Sequence, residues 1–385
     1  KENHRASMVL PPRTHKSSSA ANPASIAPII GRQTGLDTSE AANTDESPQS
    51  LKTIPHCPDM MSPSNSGTPD ISHQYDTPPS PHQSLSQIKS LLAAYSLHPR
   101  HRFGQNFLHD GDKMAKIIAA ADLSPGDLVL EVGPGTGALS VRLLAAGAKL
   151  VAVEIDRDLE PILRSQLEIE GAGAGAGAVQ ATNNRDRVRL CIADVLEGKH
   201  TLNPVVHASL SELADHASPS FKLVANLPYN VASPLIANLL LAPYESPDAA
   251  LPRMSLAIVL IQREVADRLN APPGGKDYGP LGILVQAMCQ VDRVATLPPG
   301  CFWPSPKVDS AVIRLRLRDE PLTHQPHRLS KLLHQLFSKR RKQIGSILGR
   351  TTALPLDINA NQRPEQLTVE QLCRLAEHLD TPQQH

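Results

Sequence analysis

The chain has 385 residues, 38 Lys+Arg against 38 Asp+Glu, and 40% apolar residues, enough for one large domain with a sizeable core plus a smaller one. A net charge of zero gives no bulk attraction to a polyanion, so a nucleic-acid surface has to come from local clusters of charge. Five scattered cysteines without a C-x-x-C pair argue against a zinc site or a disulfide framework, and no apolar run reaches the ~20 residues that span a bilayer.

In chain order, residues 1–86 hold twelve prolines and fifteen serines and few aromatics, a composition that cannot offset its ordering entropy and reads as a disordered extension. From Gln87 the pattern turns helical, and "GDKMAKIIAAADL" sets Met114, Ile117, Ile118 and Ala121 on one face. "DLVLEVG" is a short apolar run closing on glycines and predicts a buried strand. "ALSVRLLAAG" predicts a helix stopped at Gly147. "KLVAVEID", "RVRLCIAD", "FKLVAN" and "MSLAIVLIQ" predict four further strands, interleaved with the helices "RDLEPILRSQL", "SPLIANLLLA" and "REVADRL". "SAVIRLRLR" alternates like a half-exposed strand.

This alternation predicts an α/β domain over 87–319, built on a parallel sheet with helices on both faces. The Gly-Ala run at 171–178 reads as a flexible linker, and the stretch from Gly198 to Ser220 shows no clear element. Residues 320–385 read as helices only, a small second domain. There Leu329, Leu332, Leu333, Leu336 and Phe337 share a face, and Thr368 with Gln371 has the spacing of a capping box.

The chemistry concentrates at the ends of the predicted strands. Glu131-Val-Gly-Pro-Gly-Thr-Gly137 joins a strand to a helix, where Gly133 and Gly135 let the backbone approach a ligand. The spacing also fits a dinucleotide fingerprint, with Glu154 about 20 residues on, and a merely tight turn would use glycines too. Two features favour S-adenosylmethionine. The charge of Glu131 would oppose a phosphate but suits an ammonium, and Pro134 removes an N–H that a pyrophosphate would want. Glu154 is placed to accept from ribose hydroxyls, and Asp194, ending the third strand, from an adenine amino group.

"NLPY" (Asn226–Tyr229) ends the fourth strand, where ligands of open parallel sheets bind. An exocyclic adenine amine is a poor nucleophile because its lone pair is delocalised. Two acceptors aimed at its N–H groups, the Asn226 side-chain oxygen and the Pro228 carbonyl, would localise it. Tyr229 offers a stacking face for a base taken out of its helix, worth about 1–3 kcal/mol. From Leu297 to Arg350, eleven Lys/Arg face three acids. Arg314, Arg316 and the run Lys339-Arg340-Arg341-Lys342 are the candidate phosphate contacts.

The runs "HRFGQNFL", "LEVGPGTGALS", "VEIDRDL", "NLPYNVASPL", "QREVADRL", "KDYGPLGILVQ", "FWPSPKVDSAVIRL" and "RPEQLTVEQL" resemble, in order, those of the ribosomal RNA adenine dimethyltransferase family, in its bacterial small-subunit branch. The resemblance implies a Rossmann-like S-adenosylmethionine-dependent methyltransferase with a seven-stranded sheet. It implies a cytoplasmic monomer acting on two adjacent adenines near the 3′ end of small-subunit rRNA, within an immature ribosomal subunit, with neither metal nor membrane involved. Asn106 and Leu108 match cofactor contacts of that family, as do Gly133, Glu154, Asp194 and Asn226. Phe302 matches an aromatic that closes over the adenine opposite Tyr229. Gln343, Ile344 and Ser346 stand where the family usually carries a threonine-leucine and an asparagine. Two readings stand beside this one: a DNA adenine-N6 methyltransferase, and an assembly or nucleic-acid binding factor on the same fold.

Overall fold

The computed structural model describes residues 83–169, 184–198, 201–214, 220–228, 231–244 and 252–379. The Gly-Ala run and nearly all of the proline-rich extension lie outside them. Helix α1 (Leu85–Ala94) starts two residues before the expected boundary at 87 and is capped by Ser84 in a reciprocal box with Gln87.

Seven strands form one sheet: β1 (Leu128–Val132), β2 (Lys149–Glu154), β3 (Val188–Ile192), β4 (Ser220–Asn226), β5 (Arg253–Gln262), β6 (Cys289–Leu297) and β7 (Ser310–Leu317). Their order is β3-β2-β1-β4-β5-β7-β6. The first five run parallel, but β7 lies antiparallel to both β5 and β6, so the sheet is mixed rather than wholly parallel. Strand β6 escapes a pattern reading because it is the edge strand, with only Cys289 and Leu297 buried at its ends.

Alternation along the strands sorts apolar side chains to two faces. On one, Val129, Val224, Ile258 and Val312 join Ile88 and Leu92 of α1, Met114 and Ile117 of α2 (Gly111–Ala121), Leu143 of α3 (Ala138–Ala145) and Ile162 of α4 (Glu160–Gln166). On the other, Leu130, Val151, Leu223, Val259 and Ile313 meet three helices: α5 (Pro204–Leu213), α6 (Ala232–Leu241) and α8 (Pro280–Met288), the last following α7 (Arg263–Leu269). Helix α5 falls where no element was expected. Asn203 caps it, Pro204 opens it, and Val206, Leu210 and Leu213 carry its buried stripe.

The C-terminal helices α9 (Pro326–Phe337), α10 (Ile344–Leu348) and α11 (Val369–His378) continue this second cluster through Leu329, Leu333, Leu336, Leu372 and Leu375. The Thr368–Gln371 capping box forms as the spacing predicts. A short ribbon pairs Phe107 with Trp303 and Leu108 with Phe302, tying the N-terminal segment to the turn between β6 and β7. No helix among the described residues is long and apolar enough to cross a membrane.

Candidate active site

Parallel strands leave the first turn beyond their carboxyl ends as a crevice, and β1, β2 and β4 deliver Glu131, Glu154 and Asn226 into it. The wall is completed by residues 103–108, the glycine loop, Ala193–Val195 and Leu227–Pro228. Asn106, Leu108, Gly133, Gly135, Glu154, Asp194, Asn226 and Pro228 therefore all line one cleft.

The glycine loop is shaped by conformation and by packing. Gly133, Gly135 and Gly137 all have positive φ, and Gly133 N–H donates to Val153 C=O at 2.9 Å. A Cβ on Gly135 would sit 2.9 Å from the ring of Phe107. The close neighbour that Gly135 admits here is thus an aromatic ring of the chain itself.

Two carboxylates are deeply buried. Glu131 is 1% exposed, accepts a 2.5 Å hydrogen bond from Ser140 Oγ, and is pushed up to about 8 by burial. Glu154 accepts from the Gly135 N–H at 3.2 Å and the Asp156 N–H at 2.9 Å; burial again dominates and raises it to about 6. Asp194 is exposed and accepts from the Leu196 N–H at 3.0 Å, an Asx turn that leaves its second oxygen at the cleft. The lining thus holds three acids and, among the described residues, no Lys, Arg or His. Around neutral pH the negative charge of this wall rests on Glu154 and Asp194; with no cation beside them it repels a phosphate and favours a cationic ligand, which supports S-adenosylmethionine over a dinucleotide at the glycine loop. The donor set fits S-adenosylmethionine, with carboxylates for its ammonium and ribose and an acidic, partly apolar wall for its sulfonium.

At the end of β4 the Asn226 amide is oriented, its Nδ2 donating to the Asn106 carbonyl at 3.1 Å, so that Oδ1 remains an acceptor on the cleft wall. The expected second acceptor is otherwise engaged. The Pro228 carbonyl takes the N–H groups of Val231 and Ala232 at 3.0 and 3.2 Å, where α6 begins. The neighbouring Leu227 carbonyl accepts no hydrogen bond among the described residues, and Leu227 also lines the cleft. A reading by residue type could not separate two consecutive carbonyls; the helix start decides between them. Tyr229 lies outside the described residues. Phe302 is 4% exposed, packs in the core with Phe107 and Val312, and does not line the cleft; its ribbon pairing with Leu108 holds it inside. Among the described residues, the aromatic residues on the wall are Phe103 and Phe107.

Residues the sequence reading overlooked hold this wall. Asp156, just past β2 and 4% exposed, accepts from Arg100 Nη1 at 2.7 Å and Gln105 Nε2 at 2.8 Å. Arg100 reaches Asp158 as well, and its own N–H donates to Gln105 Oε1 at 2.8 Å. The signal was present in the motifs "VEIDRDL" and "FGQNFL", but nothing local says that they meet.

The basic candidates separate. Lys339, Arg341 and Lys342 are exposed, whereas Arg340 donates to the carbonyls of Lys276 and Gly275 at 2.7 and 2.8 Å and so anchors a loop. Arg314 pairs with Asp292 at 3.0 Å, and Arg316 stands opposite Leu256, near the amino end of β5. Arg316 therefore sits toward the end of the sheet away from Asn226, which pairs with Leu260 near the carboxyl end, while Arg314, opposite Ile258, sits mid-strand.

A family model described as ribosomal RNA adenine dimethylase matches residues 97–381. A protein named ribosomal RNA small subunit methyltransferase A, from Thermosynechococcus vestitus, is 39% identical over 295 residues, 74% of this chain and 98% of its own length. One of the same name from Pseudomonas aeruginosa is 35% identical over 296 residues, 74% and 96% respectively. The crystal structure of a dimethyladenosine transferase from Plasmodium falciparum superposes with a TM-score of 0.52 at 24% identity, covering 70% of this chain and 95% of that one.

Proposed function

The chain belongs to the ribosomal RNA adenine dimethylase family and is an S-adenosylmethionine-dependent methyltransferase, and from that premise we propose how its cleft works and on what. The substrate is the N6 amino group of two adjacent adenines near the 3′ end of small-subunit rRNA, in an immature subunit, met by a cytoplasmic monomer. The observation that carries the chemistry is the oriented Asn226 amide beside the Leu227 carbonyl, which accepts no hydrogen bond among the described residues, at the edge of an acidic cleft.

S-adenosylmethionine supplies an electrophilic methyl on a sulfonium, which leaves as a neutral thioether when the N–CH₃ bond forms. Asn226 Oδ1 and the Leu227 carbonyl accept the two amino N–H bonds, draw the nitrogen lone pair out of the ring, and set the line of attack. No strong base is needed, because the nitrogen becomes acidic once methylated and gives its proton to water. In the second round only one N–H remains, so one acceptor grips it while the other side accommodates the first methyl. Glu154 and Asp194 bind the ribose and adenine of the cofactor, and Glu131 its ammonium. Tyr229 provides the stacking ring, and Lys339, Arg341 and Lys342 contact phosphates without reading sequence.

The test is to incubate the purified chain with labelled S-adenosylmethionine and unmethylated small subunits, then map the modified nucleotides. N6,N6-dimethyladenosine at two neighbouring positions is expected. Preferential transfer to duplex DNA, or no transfer to subunits, would replace this reading with one of the two alternatives.

A further inference from the structure

The Asn226 amide can present its oxygen only while the Asn106 carbonyl holds its nitrogen, and Asn106 belongs to a segment with little regular structure of its own. Between the 3₁₀ turn His101–Phe103 and the two-residue ribbon at Phe107, residues 104–106 make no strand or helix. Asn106 contributes one internal bond, from its side chain to the Gly104 carbonyl at 3.0 Å. Besides the Asn226 bond itself, what ties this stretch to the end of β2 is Asp156. Its two carboxylate oxygens are divided: Oδ1 takes Arg100 Nη1 and Oδ2 takes Gln105 Nε2, the residue next to Asn106. The same residue's main-chain N–H donates to Glu154 Oε1. One buried acid thus stands between the carboxylate of the ribose site and the segment that aims the acceptor amide.

We propose that Asp156 is a positioning residue for the methyl transfer, acting through Gln105 and Arg100 to hold the Asn106 carbonyl where it orients Asn226. This rests on the functional reading above only for the identity of the reaction; the latch itself is a matter of contacts between β2 and residues 100–106. Asn at position 156 keeps the size and one acceptor oxygen but loses the charge facing Arg100 and cannot accept from both partners. The segment then drifts, Asn226 is free to rotate, and the reacting atoms lose alignment. A misplacement of this kind costs about 10- to 100-fold in kcat. RNA affinity does not change, because none of these groups belongs to the basic surface.

The molecule carries a reporter for the latch. Trp303 is the single tryptophan, and its ring stacks on Phe107 at 6.4 Å between centroids, at the far end of the same segment. In the full chain without RNA, Asp156→Asn and Gln105→Ala should each shift Trp303 emission and speed the release of S-adenosylhomocysteine in stopped flow. The double variant should be no worse than the worse single, because both break one device. Arg100→Lys should recover most of what Arg100→Ala loses. With subunits as substrate, kcat should fall in each weakened variant while KM for the subunits stays within about twofold, since an orientation defect acts on the transition state.

Additive effects of Asp156→Asn and Gln105→Ala would overturn the proposal. So would unchanged emission and release rates, or a loss of kcat explained entirely by a lowered melting temperature. Should the wild-type chain fail to methylate subunits, the functional reading falls, yet the emission and release measurements still decide on the latch.

Discussion

The cleft and the basic C-terminal surface use charge in opposite ways. At the cleft three acids are buried and each is held by named partners, Glu131 by Ser140, Glu154 by two main-chain N–H groups and Asp156 by Arg100 and Gln105, while Asp194 is exposed and accepts from the Leu196 N–H. Around 339–342 they are exposed, apart from Arg340, which secures the 275–276 carbonyls. Chemistry needs atoms fixed before the substrate arrives, so its residues are over-determined. The phosphate contacts proposed for Lys339, Arg341 and Lys342 need only a potential, so these residues can remain solvated and individually weak.

That contrast can be broken most sharply at Asn226. Asn226→Ala removes one of two acceptors and should lower kcat by about 100- to 1,000-fold, with binding of small subunits unchanged; single-turnover transfer and filter binding measured together check both halves. Gly135→Ala strikes the packing of the cleft. The added Cβ meets Phe107 at 2.9 Å on a backbone with φ of +61°, so a loss of about 1–3 kcal/mol in urea unfolding and a weaker grip on the cofactor are expected.

The buried acids predict a pH signature. Burial raises the Glu131 carboxyl from its ordinary 4.5 to about 8, so the ligand-free fold holds a proton there that the unfolded chain gives up. Its contribution to stability is full below about pH 4.5 and is lost as pH rises toward 8; Glu154 acts in the same sense up to about 6. Glu131→Gln should therefore flatten the decline in stability between pH 5 and 8, read as melting temperature against pH. In the wild type, cofactor affinity should rise over the same window, because an ammonium prefers the ionised carboxylate.

On the basic surface the effects are smaller and graded. The triple change of Lys339, Arg341 and Lys342 to Ala should weaken RNA binding and reduce the slope of log K against log salt by up to about 2–3, leaving kcat at saturation intact. Arg314→Ala should scarcely matter, since an exposed pair such as Arg314–Asp292 contributes at most about 1 kcal/mol and neither residue lines the cleft.

Much of this was legible beforehand because it is local. The glycine loop, the strand-end acids and Asn226 are each a run of a few residues whose place follows from strand–helix alternation, and the capping box at Thr368 is read directly. What depended on distant partners was not legible. The alternation of β7 showed a strand but not its reversed direction, and the edge strand β6 leaves little period in sequence. Choosing between the carbonyls of Leu227 and Pro228 required knowing where α6 begins. The confinement of Phe302 and the latch at Asp156 depend on which segments meet across the sheet.

One of those meetings bears on how the enzyme is made. Phe107 and Leu108 zip onto Phe302 and Trp303, nearly two hundred residues later. During synthesis the early strands can pair as they emerge, but this seam has no second half until residue 303 has left the exit tunnel. The side of the cleft formed by Phe107 and Leu108 is therefore completed only after residues 302–303 have been made.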